Sequence, residues 1–324
     1  MIQINLLLAS AVLSFVACSA QQNAVVATAA DAPRGTAVVT AHQVSKAEAV
    51  VARPGMLQAA SVAEGASQPD DGYRLVWSDE FNNNGKPDSA KWGYEYGFVR
   101  NNELQWYQPD NANCGNGMLV IEAQKTKQPN PGYKEGSRDW RKSRPDIDYT
   151  SSCILTRGKG EWLYGRFELK ARIDISEGIW PAWWTLGVSK PWPANGEIDI
   201  MEYYKGRLLA NIACLGANRN AHWFSNTYKV DSLGGKAWAE QFHIWRMDWT
   251  KEYVALYVDD QLLNKVEMSE LANKDNSGFN PFQQPHYMLI NMAIGGMNGG
   301  DPSHTSFPRK YEVDYVRVYQ KATE

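Results

Sequence analysis

Three carboxylates lie close together in one short segment that has high strand propensity. The segment reads Gly-Glu-Ile-Asp-Ile-Met-Glu-Tyr-Tyr at 196–204, and its acids are Glu197, Asp199 and Glu202. Acids clustered on an apolar strand cost free energy, because like charges repel one another and burial disfavours ionisation. Folding alone gives no reason to keep them there, whereas acid–base catalysis requires such groups. An exposed acidic edge strand and a calcium-binding patch are the structural alternatives.

The spacing of these acids conflicts with a regular strand. Side chains alternate between the two faces of a strand, so Glu197 and Asp199 share one face while Glu202 points to the other. A β-bulge at Ile200–Met201 would return Glu202 to the face of the other two acids. Carboxyl groups about 5–5.5 Å apart suit glycoside hydrolysis with retention of configuration, and a separation of about 6.5–9.5 Å suits inversion.

The elements that must position the acids are predicted to be almost entirely strands. Gly, Pro, Asn and Asp clusters separate the β-rich runs, and one helical turn is expected at 268–273. Many short strands in one large domain predict an antiparallel sandwich or jelly roll. The runs fall at 73–77, 118–123, 152–156, 163–173, 181–187, 197–203, 208–214, 242–249, 252–258, 286–293 and 311–319.

Composition narrows the class of ligand. The net charge of −3 gives no case for nucleic-acid binding, and the five histidines form no metal-ligand pair. Thirteen tryptophans and sixteen tyrosines suit a protein that binds flat, uncharged rings such as sugars. Cys114, Cys153 and Cys214 allow at most one intramolecular disulfide in the globular part.

The N-terminal region is predicted to direct export. An apolar run at 4–17 is too short to span a membrane and precedes Cys18. Phe-Val-Ala-Cys resembles a bacterial lipobox, so residues 1–18 are predicted to be a lipoprotein signal peptide, with an ordinary signal peptide as the alternative. Residues 19–69 lack aromatic residues and are predicted to be a flexible tether to a catalytic domain at 70–321. We therefore expect a monomer of the cell envelope with no membrane contact beyond its lipid, or otherwise a secreted protein.

The acid segment closely resembles the bulged active-site signature, Glu-x-Asp-x-x-Glu, of glycoside hydrolase family 16. The resemblance covers about residues 73–320, where further matching segments follow in the expected order. They are Trp-Ser-Asp-Glu-Phe (77–81), Arg-Asn-Asn-Glu-Leu-Gln-Trp-Tyr (100–107), Asn-Gly-Met-Leu-Val-Ile-Glu-Ala (116–123), Tyr-Thr-Ser (149–151), Tyr-Gly-Arg-Phe-Glu (164–168), Gly-Ile-Trp-Pro-Ala-Trp-Trp-Thr-Leu-Gly (178–187) and Val-Asp-Tyr-Val-Arg-Val-Tyr (313–319). The resemblance implies a retaining endo-β-glycanase with an all-β, concanavalin-like jelly roll of two curved antiparallel sheets and a substrate cleft.

The resemblance also implies roles for individual residues. Glu197 would be the nucleophile, Glu202 the general acid/base and Asp199 the assisting acid between them. Trp180 and Trp184 would line the sugar subsites, and Trp183 would face the core instead. Hydrogen bonds to sugar hydroxyls would come from Asn101, Asn102, Glu103 and Arg166, although Arg166 could equally be a strand residue paired with a neighbouring acid. Trp106 and Tyr107 are open between cleft wall and core.

Catalysis in this family uses no cofactor, but many members carry a structural calcium far from the cleft. Its ligands would correspond to Glu80, the backbone of Gly117, and Asp314. A plain pair of surface acids is the alternative at these positions.

Two features depart from the commonest pattern of the family. The strand after the acids lacks the histidine found in many laminarinases, and Asn211 or Trp223 would replace its contact. Laminarin-type β-1,3-glucan or mixed-linkage glucan remains the leading substrate, with an agar-like or mucin-like galactan as the alternative. A non-catalytic carbohydrate-binding protein is disfavoured because all three acids are intact. The basic segment 124–149 is predicted to be a loop near the cleft, either merely solvated or recognising an anionic glycan. Its basic and aromatic residues include Arg138, Trp140, Arg141, Lys142 and Arg144.

Overall fold

Alternating burial along the strands shows how the domain is built. In Gly165–Arg172, every second residue is buried, as expected for a strand with one face on a core. The computed structural model describes residues 71–322. The predicted signal peptide, Cys18 and the tether at 19–69 lie outside the described residues. None of the helices within 71–322 is long and apolar enough to cross a membrane.

The described residues form seventeen strands and three short α-helices. The strands are β1 (Tyr73–Asp79), β2 (Gly93–Tyr94), β3 (Gln105–Tyr107), β4 (Ala112–Gly115), β5 (Met118–Pro129), β6 (Asp146–Ser151), β7 (Cys153–Leu155), β8 (Gly165–Arg172), β9 (Ile179–Gly187), β10 (Glu197–Tyr204), β11 (Arg207–Leu215), β12 (Ala221–Lys229), β13 (His243–Trp249), β14 (Tyr253–Val258), β15 (Gln261–Glu267), β16 (His286–Ile294) and β17 (Arg309–Lys321). The helices are α1 (Trp140–Ser143), α2 (Gly235–Ala239) and α3 (Gly296–Gly299). A turn of 3-10 helix at Met268–Glu270 lies within the predicted turn at 268–273.

The strands make two sheets, as the sequence predicts. One sheet has ten strands in the order β15-β14-β13-β8-β17-β5-β6-β3, with β1 beside β17 and β4 beside β5. The other has seven strands in the order β12-β11-β10-β9-β16-β7-β2. Within residues 71–322 the strand pairs are antiparallel except β3 with β6, which is parallel. The acid-bearing strand β10 lies near the middle of the seven-stranded sheet.

The main core lies between the two sheets and is rich in aromatic side chains. Trp183 on β9, Phe167 on β8 and Trp249 on β13 are fully buried in it. Burying a large apolar side chain contributes about 1.5–3 kcal/mol, so these rings anchor the two sheets to each other. The prediction that Trp183 faces the core is confirmed.

A second, smaller apolar cluster covers the opposite face of the seven-stranded sheet. Trp184 and Ala182 belong to it, while their neighbour Trp183 belongs to the main core, because side chains on β9 alternate between faces. Tyr107 is buried in this second cluster. Cys114, Cys153 and Cys214 are free and buried, so these three residues make no disulfide.

The predicted strand runs coincide with observed strands, but six observed strands are absent from the prediction: β2, β3, β4, β6, β12 and β15. Strand β12 is an edge strand whose residues are mostly exposed, so its sequence lacks the apolar alternation that predicts strands. The segment 124–149 is a loop only in its middle. Strand β5 continues to Pro129 and β6 begins at Asp146, and together they form a long hairpin.

Candidate active site

The predicted β-bulge is present in β10. Asp199 and Met201 pair with consecutive residues of β9, so Ile200 is the inserted residue. The pairing with β11 shifts by one residue at the same place. Ile200 and Met201 are both fully buried in the main core, and Glu202 returns to the face that carries Glu197. One extra residue therefore places all three acids on the outer face of the seven-stranded sheet.

A cleft of about 390 Å³ lies over this face. It runs from Trp223 on β12 to Asn291 on β16, which are separated by four strand spacings or about 19 Å. The lining residues are Arg100, Asn101, Glu103, Trp180, Ala182, Trp184, Leu186, Trp192, Glu197, Asp199, Glu202, Trp223, Asn291 and Asn298. The three acids share this cleft with four tryptophans.

A tryptophan donates a hydrogen bond to each of the two outer acids. Nε1 of Trp180, on β9, lies 2.9 Å from Oε1 of Glu202. Nε1 of Trp192, in the loop between β9 and β10, lies 2.5 Å from Oε2 of Glu197. Both carboxyl groups are therefore held in position by rings that also line the cleft.

Asn211 connects Asp199 to Glu202 through hydrogen bonds. Its Nδ2 lies 3.2 Å from Oδ2 of Asp199 and 3.1 Å from Oε2 of Glu202. The register explains this contact, because Asn211 pairs directly with Asp199 and the bulge brings Glu202 to the same place. Trp223, the other residue expected to replace the missing histidine, lies at the end of the cleft and is 43% exposed.

Burial makes the pKa values of these acids higher than those of carboxyl groups in water. It raises the pKa of Glu202 to about 8, despite the N–H donors of Trp180 and Asn211. Burial also raises the pKa of Asp199 well above its usual range, and the charges of Glu197 and Glu202 add to this shift. Glu202 is thus protonated at neutral pH, as a general acid must be.

Glu197 has the groups that favour an ionised carboxylate. Burial raises its pKa, but the indole N–H of Trp192 and the positive charge of Arg100 oppose the rise. A hydrogen bond with Asp199 lowers the pKa of Glu197 and raises that of Asp199, as expected when a protonated Asp199 donates to an ionised Glu197. The two outer acids are therefore suited to different roles.

The loop at 99–103 forms one wall of the cleft. The guanidinium of Arg100 lies 5.0 Å from the ring centre of Trp184 and pairs with Glu95. The buried carboxylate of Glu103 accepts from Gln105 at 2.6 Å and from Asn101 at 3.2 Å. Asn101 and Glu103 line the cleft, and their hydrogen bonds to sugar hydroxyls stay a prediction.

The basic segment supports this wall from behind. Nη1 of Arg144 lies 2.5 Å from the carbonyl oxygen of Glu103, and Nη2 lies 2.8 Å from that of Asn102. Arg141 donates to the carbonyl oxygen of Val99 at 2.8 Å. These two arginines hold the backbone of the loop in place. Asn102 contributes a backbone contact here and is absent from the cleft lining.

The prediction that Arg166 lies near the cleft is wrong. Arg166 is on β8, in the ten-stranded sheet, where its Nε lies 2.7 Å from Oδ1 of Asp248. Its Nη1 lies 2.7 Å from Oδ2 of Asp71. The alternative, a strand residue paired with a neighbouring acid, describes Arg166 correctly. Strand alternation predicts that a side chain points outward, but it does not say from which sheet.

The residues expected to bind calcium do not fit that ion in this structure. Both carboxylate oxygens of Glu80 accept from Arg317, at 2.9 and 2.8 Å. Asp314 pairs with Lys170 at 2.7 Å. Each acid thus already has a cationic partner. Within residues 71–322, no three His, Cys, Asp or Glu side chains are grouped so that they could hold a metal ion.

Several residues of the cleft were missed by sequence reasoning. Trp192 is the most consequential, and its only signal is a tryptophan between two prolines shortly before Glu197. Arg100 was part of a matching segment but received no role. Asn291 accepts from Nε1 of Trp184 at 2.7 Å, although β16 reads simply as an apolar strand. The remaining missed residues are Ala182, Leu186 and Asn298.

A two-sheet sandwich that carries paired carboxyl groups in a tryptophan-lined cleft defines a glycoside hydrolase. Comparison with known proteins specifies the family. The sequence profile of glycosyl hydrolases family 16 matches residues 101–317. The chain belongs to this family, whose catalysis needs no cofactor.

Known proteins similar to this chain share its full domain. A beta-glucanase of Rhodothermus marinus is 36% identical over 263 residues, which cover 76% of this chain and 85% of that protein. A solved structure from work on endo-acting O-glycanases, which prominent human gut bacteria express to initiate mucin breakdown, has a TM-score of 0.71 and 32% identity; the match covers 79% of this chain and 94% of that chain. The laminarinase catalytic domain of Thermotoga maritima has a TM-score of 0.64 and 31% identity, covering 78% and 100%.

Proposed function

We propose that this enzyme is a retaining endo-β-glucanase that cleaves internal bonds of β-1,3-glucan or mixed-linkage glucan. The observation that carries the proposal is the pair Glu197 and Glu202 in one cleft, with Glu202 protonated at neutral pH and Glu197 surrounded by groups that favour its charge. A cleft that crosses five strands can hold several sugar rings on both sides of the cleaved bond, which suits endo action. The similarity to a beta-glucanase and a laminarinase supports glucan as the polymer.

The proposed reaction has two displacement steps. In the first, Glu197 attacks the anomeric carbon while Glu202 gives its proton to the departing glycosidic oxygen, so the bond to the leaving sugar breaks as the glycosyl–Glu197 ester forms. In the second, the ionised Glu202 takes a proton from water. The resulting oxygen nucleophile attacks the same carbon, releases Glu197 and restores the original configuration.

Asp199 and its neighbours keep these two acids in their roles. Protonated Asp199 donates to Glu197 and so fixes the orientation of the attacking carboxylate. Asn211 and Trp180 hold Glu202 so that it faces the leaving oxygen. These contacts are made before substrate binds, so no reorganisation is needed at the moment of reaction.

The decisive experiment incubates the purified enzyme with laminarin, mixed-linkage glucan and agarose and follows the products. We expect a ladder of oligosaccharides from a glucan, with NMR showing that the new reducing end first appears as the β-anomer. Glu197→Gln should lower turnover by roughly 10⁴-fold or more while the protein still folds. Failure to shorten any β-linked polymer would refute the proposed glycosidase activity. An α-anomer as the first product would refute retention of configuration.

A second candidate substrate is a mucin-type O-glycan. The observation that favours it is the TM-score of 0.71 with the O-glycanase structure. Mucin O-glycans therefore belong in the same substrate panel. A kcat/KM higher on O-glycans than on laminarin would assign this second substrate class and leave the catalytic roles unchanged.

For the N-terminal region, we propose export and attachment to the cell envelope through a lipid on Cys18, with the enzyme acting as a monomer. The support is the apolar run followed by Phe-Val-Ala-Cys. Metabolic labelling with a fatty-acid probe should mark the wild type but not Cys18→Ser. Equal labelling of both, or of neither, would contradict the lipid, and light scattering of the lipid-free protein would check the monomer.

A further inference from the structure

Trp192 holds the carboxylate of Glu197 although 53% of its side chain is exposed. The loop that carries it is fixed through its backbone. Oε1 of Gln284 accepts from the backbone nitrogen of Ser189 at 3.0 Å, and Nε2 of Gln284 donates to the carbonyl oxygen of Asn195 at 3.0 Å. The position of the ring is therefore set by the loop, and burial of the ring contributes little to it.

Trp192 lines the cleft beside Glu197, and Trp223 lines the same cleft on β12. Trp223 pairs with Ala213 on β11, and Ala213 pairs with Glu197 on β10, so Trp223 lies two strand spacings, about 10 Å, from Glu197. An exposed indole in a polysaccharide cleft offers an apolar face on which a sugar ring can stack.

We propose that Trp192 is a positioning residue that couples the stacking of a sugar ring in the cleft to the orientation of the Glu197 carboxylate. The inference rests on the proposed function, in which Glu197 is the nucleophile. The indole N–H holds Oε2 of Glu197, which leaves Oε1 to attack. A sugar stacked on the exposed ring restricts the motion of the indole and keeps this hydrogen bond formed. Binding energy at a distance from the cleaved bond is thereby used in the chemical step.

Two variants separate the ring from its N–H group. Trp192→Phe keeps an aromatic face but cannot donate, and Trp192→Ala loses both. With laminari-oligosaccharides of increasing length as probes, we expect Trp192→Phe to keep KM within about twofold and to lose about tenfold in kcat, the effect of one hydrogen bond to a charged group. Trp192→Ala should lose kcat similarly and raise KM by about fivefold or more. In the wild type kcat should rise with oligosaccharide length, and in both variants this rise should disappear.

A second measurement does not depend on turnover. NMR titration of ¹³C-carboxyl-labelled enzyme without substrate follows the ionisation of Glu197 directly. Loss of the donor in Trp192→Phe should move this titration to higher pH. Trp223→Phe is the matched control: it also replaces an exposed cleft tryptophan, and it should leave the titration of Glu197 in place.

The outcomes are distinct. A wild-type titration of Glu197 in Trp192→Phe would overturn the inference, whichever polymer the enzyme cleaves. A shifted titration with unchanged kcat would also overturn it, since the N–H would then have no kinetic role. An inactive wild type with a shifted titration would instead refute the proposed function and leave the contact between Trp192 and Glu197 established. Thermal unfolding, with Tm close to wild type, checks that both variants fold.

Discussion

Nε1 of Trp180 lies 2.9 Å from Oε1 of Glu202, and the two residues lie on adjacent strands of one sheet. The indole also packs edge-on against Tyr204, with ring centres 5.3 Å apart. The proposed acid/base is thus held by a rigid ring within the sheet and does not depend on a mobile loop. Such preorganisation is what catalysis by a positioned proton donor requires.

The activity should depend on pH through Glu202. Because its pKa is about 8, the carboxyl is protonated below that pH and can donate to the leaving oxygen. We expect kcat/KM to fall about tenfold for each pH unit above about pH 8. A profile measured from pH 4 to 10 checks this, with Tm followed in parallel. An alkaline limb near the ordinary carboxyl value of 4.5 would contradict the role of Glu202.

The same shift predicts that Glu202 destabilises the fold at alkaline pH. The folded state holds a proton up to about pH 8, whereas the unfolded chain releases it near 4.5, so the free energy of unfolding falls as pH rises between these values. Glu202→Gln should therefore raise Tm, by more at pH 8.5 than at pH 5. Differential scanning calorimetry at both pH values tests the sign. An equal Tm change at both would show that burial does not shift this carboxyl.

Asn211 should affect the pH at which kcat/KM falls on the alkaline limb of the pH profile. Its Nδ2 donates to Glu202 and so lowers the pKa of that group. Asn211→Ala removes the donor, and the limb should move upward by about one pH unit. Asn264→Ala is a matched control, because Asn264 is equally buried but donates to the backbone carbonyls of Ala210 and Phe224. It should lower Tm and leave the limb unchanged.

Arg166 should matter for stability and not for activity. Its guanidinium pairs with Asp248, which is largely buried, on the ten-stranded sheet. Arg166→Ala leaves that carboxylate with only Arg246, whose Nε is farther away at 3.7 Å, and should cost about 1 kcal/mol, since the pair is partly exposed. Urea unfolding measures the loss, and kcat/KM on laminarin should stay within about twofold of wild type. A large loss of kcat/KM with unchanged stability would contradict this assignment and indicate that Arg166 acts in the substrate cleft.

The bulge makes a further prediction about chain length within β10. Deleting Ile200 restores strict alternation and still leaves Glu197, Asp199 and Glu202 on one face. The deletion variant should keep measurable activity although it loses a fully buried side chain, at a cost of about 2–4 kcal/mol. Inserting an alanine after Ile200 also gives an even spacing, but it moves Glu202 two residues, about 6.6 Å, farther along the strand from Asp199 and should abolish activity. Product formation from laminarin by both variants tests the pair, and activity only in the insertion variant would contradict the geometry.

How much of this site is predictable from sequence depends on periodicity. Alternation in β10 was enough to locate the bulge at Ile200–Met201, because a period of two separates faces clearly. The family resemblance assigned Trp180 to the cleft and Trp183 to the core. The resemblance also placed Arg166 near the cleft, but Arg166 lies on the other sheet. Which sheet a strand joins depends on long-range pairing, such as β8 with β13 and β17, and no local pattern encodes that pairing.

Trp192 escaped prediction for a different reason. It lies in an irregular loop where there is no period to read, and its contact with Glu197 depends on the loop conformation set by Gln284, a residue distant in sequence. Strand β12 was missed because its residues are mostly exposed and so lack the apolar pattern that marks buried strands. Sequence patterns therefore predict loops and edge strands least well, although these elements form the rim of the cleft.

The bulged strand β10 has an evolutionary consequence. All three acids are supplied by six consecutive residues, Glu197 to Glu202, so the distances between them are set by one continuous backbone. Mutations that lengthen or exchange the surrounding loops can change the accepted polymer without moving the reacting groups. The catalytic groups and the residues that select the sugar can thus change independently in this fold. One acid-bearing strand can therefore serve enzymes that cleave different polysaccharides.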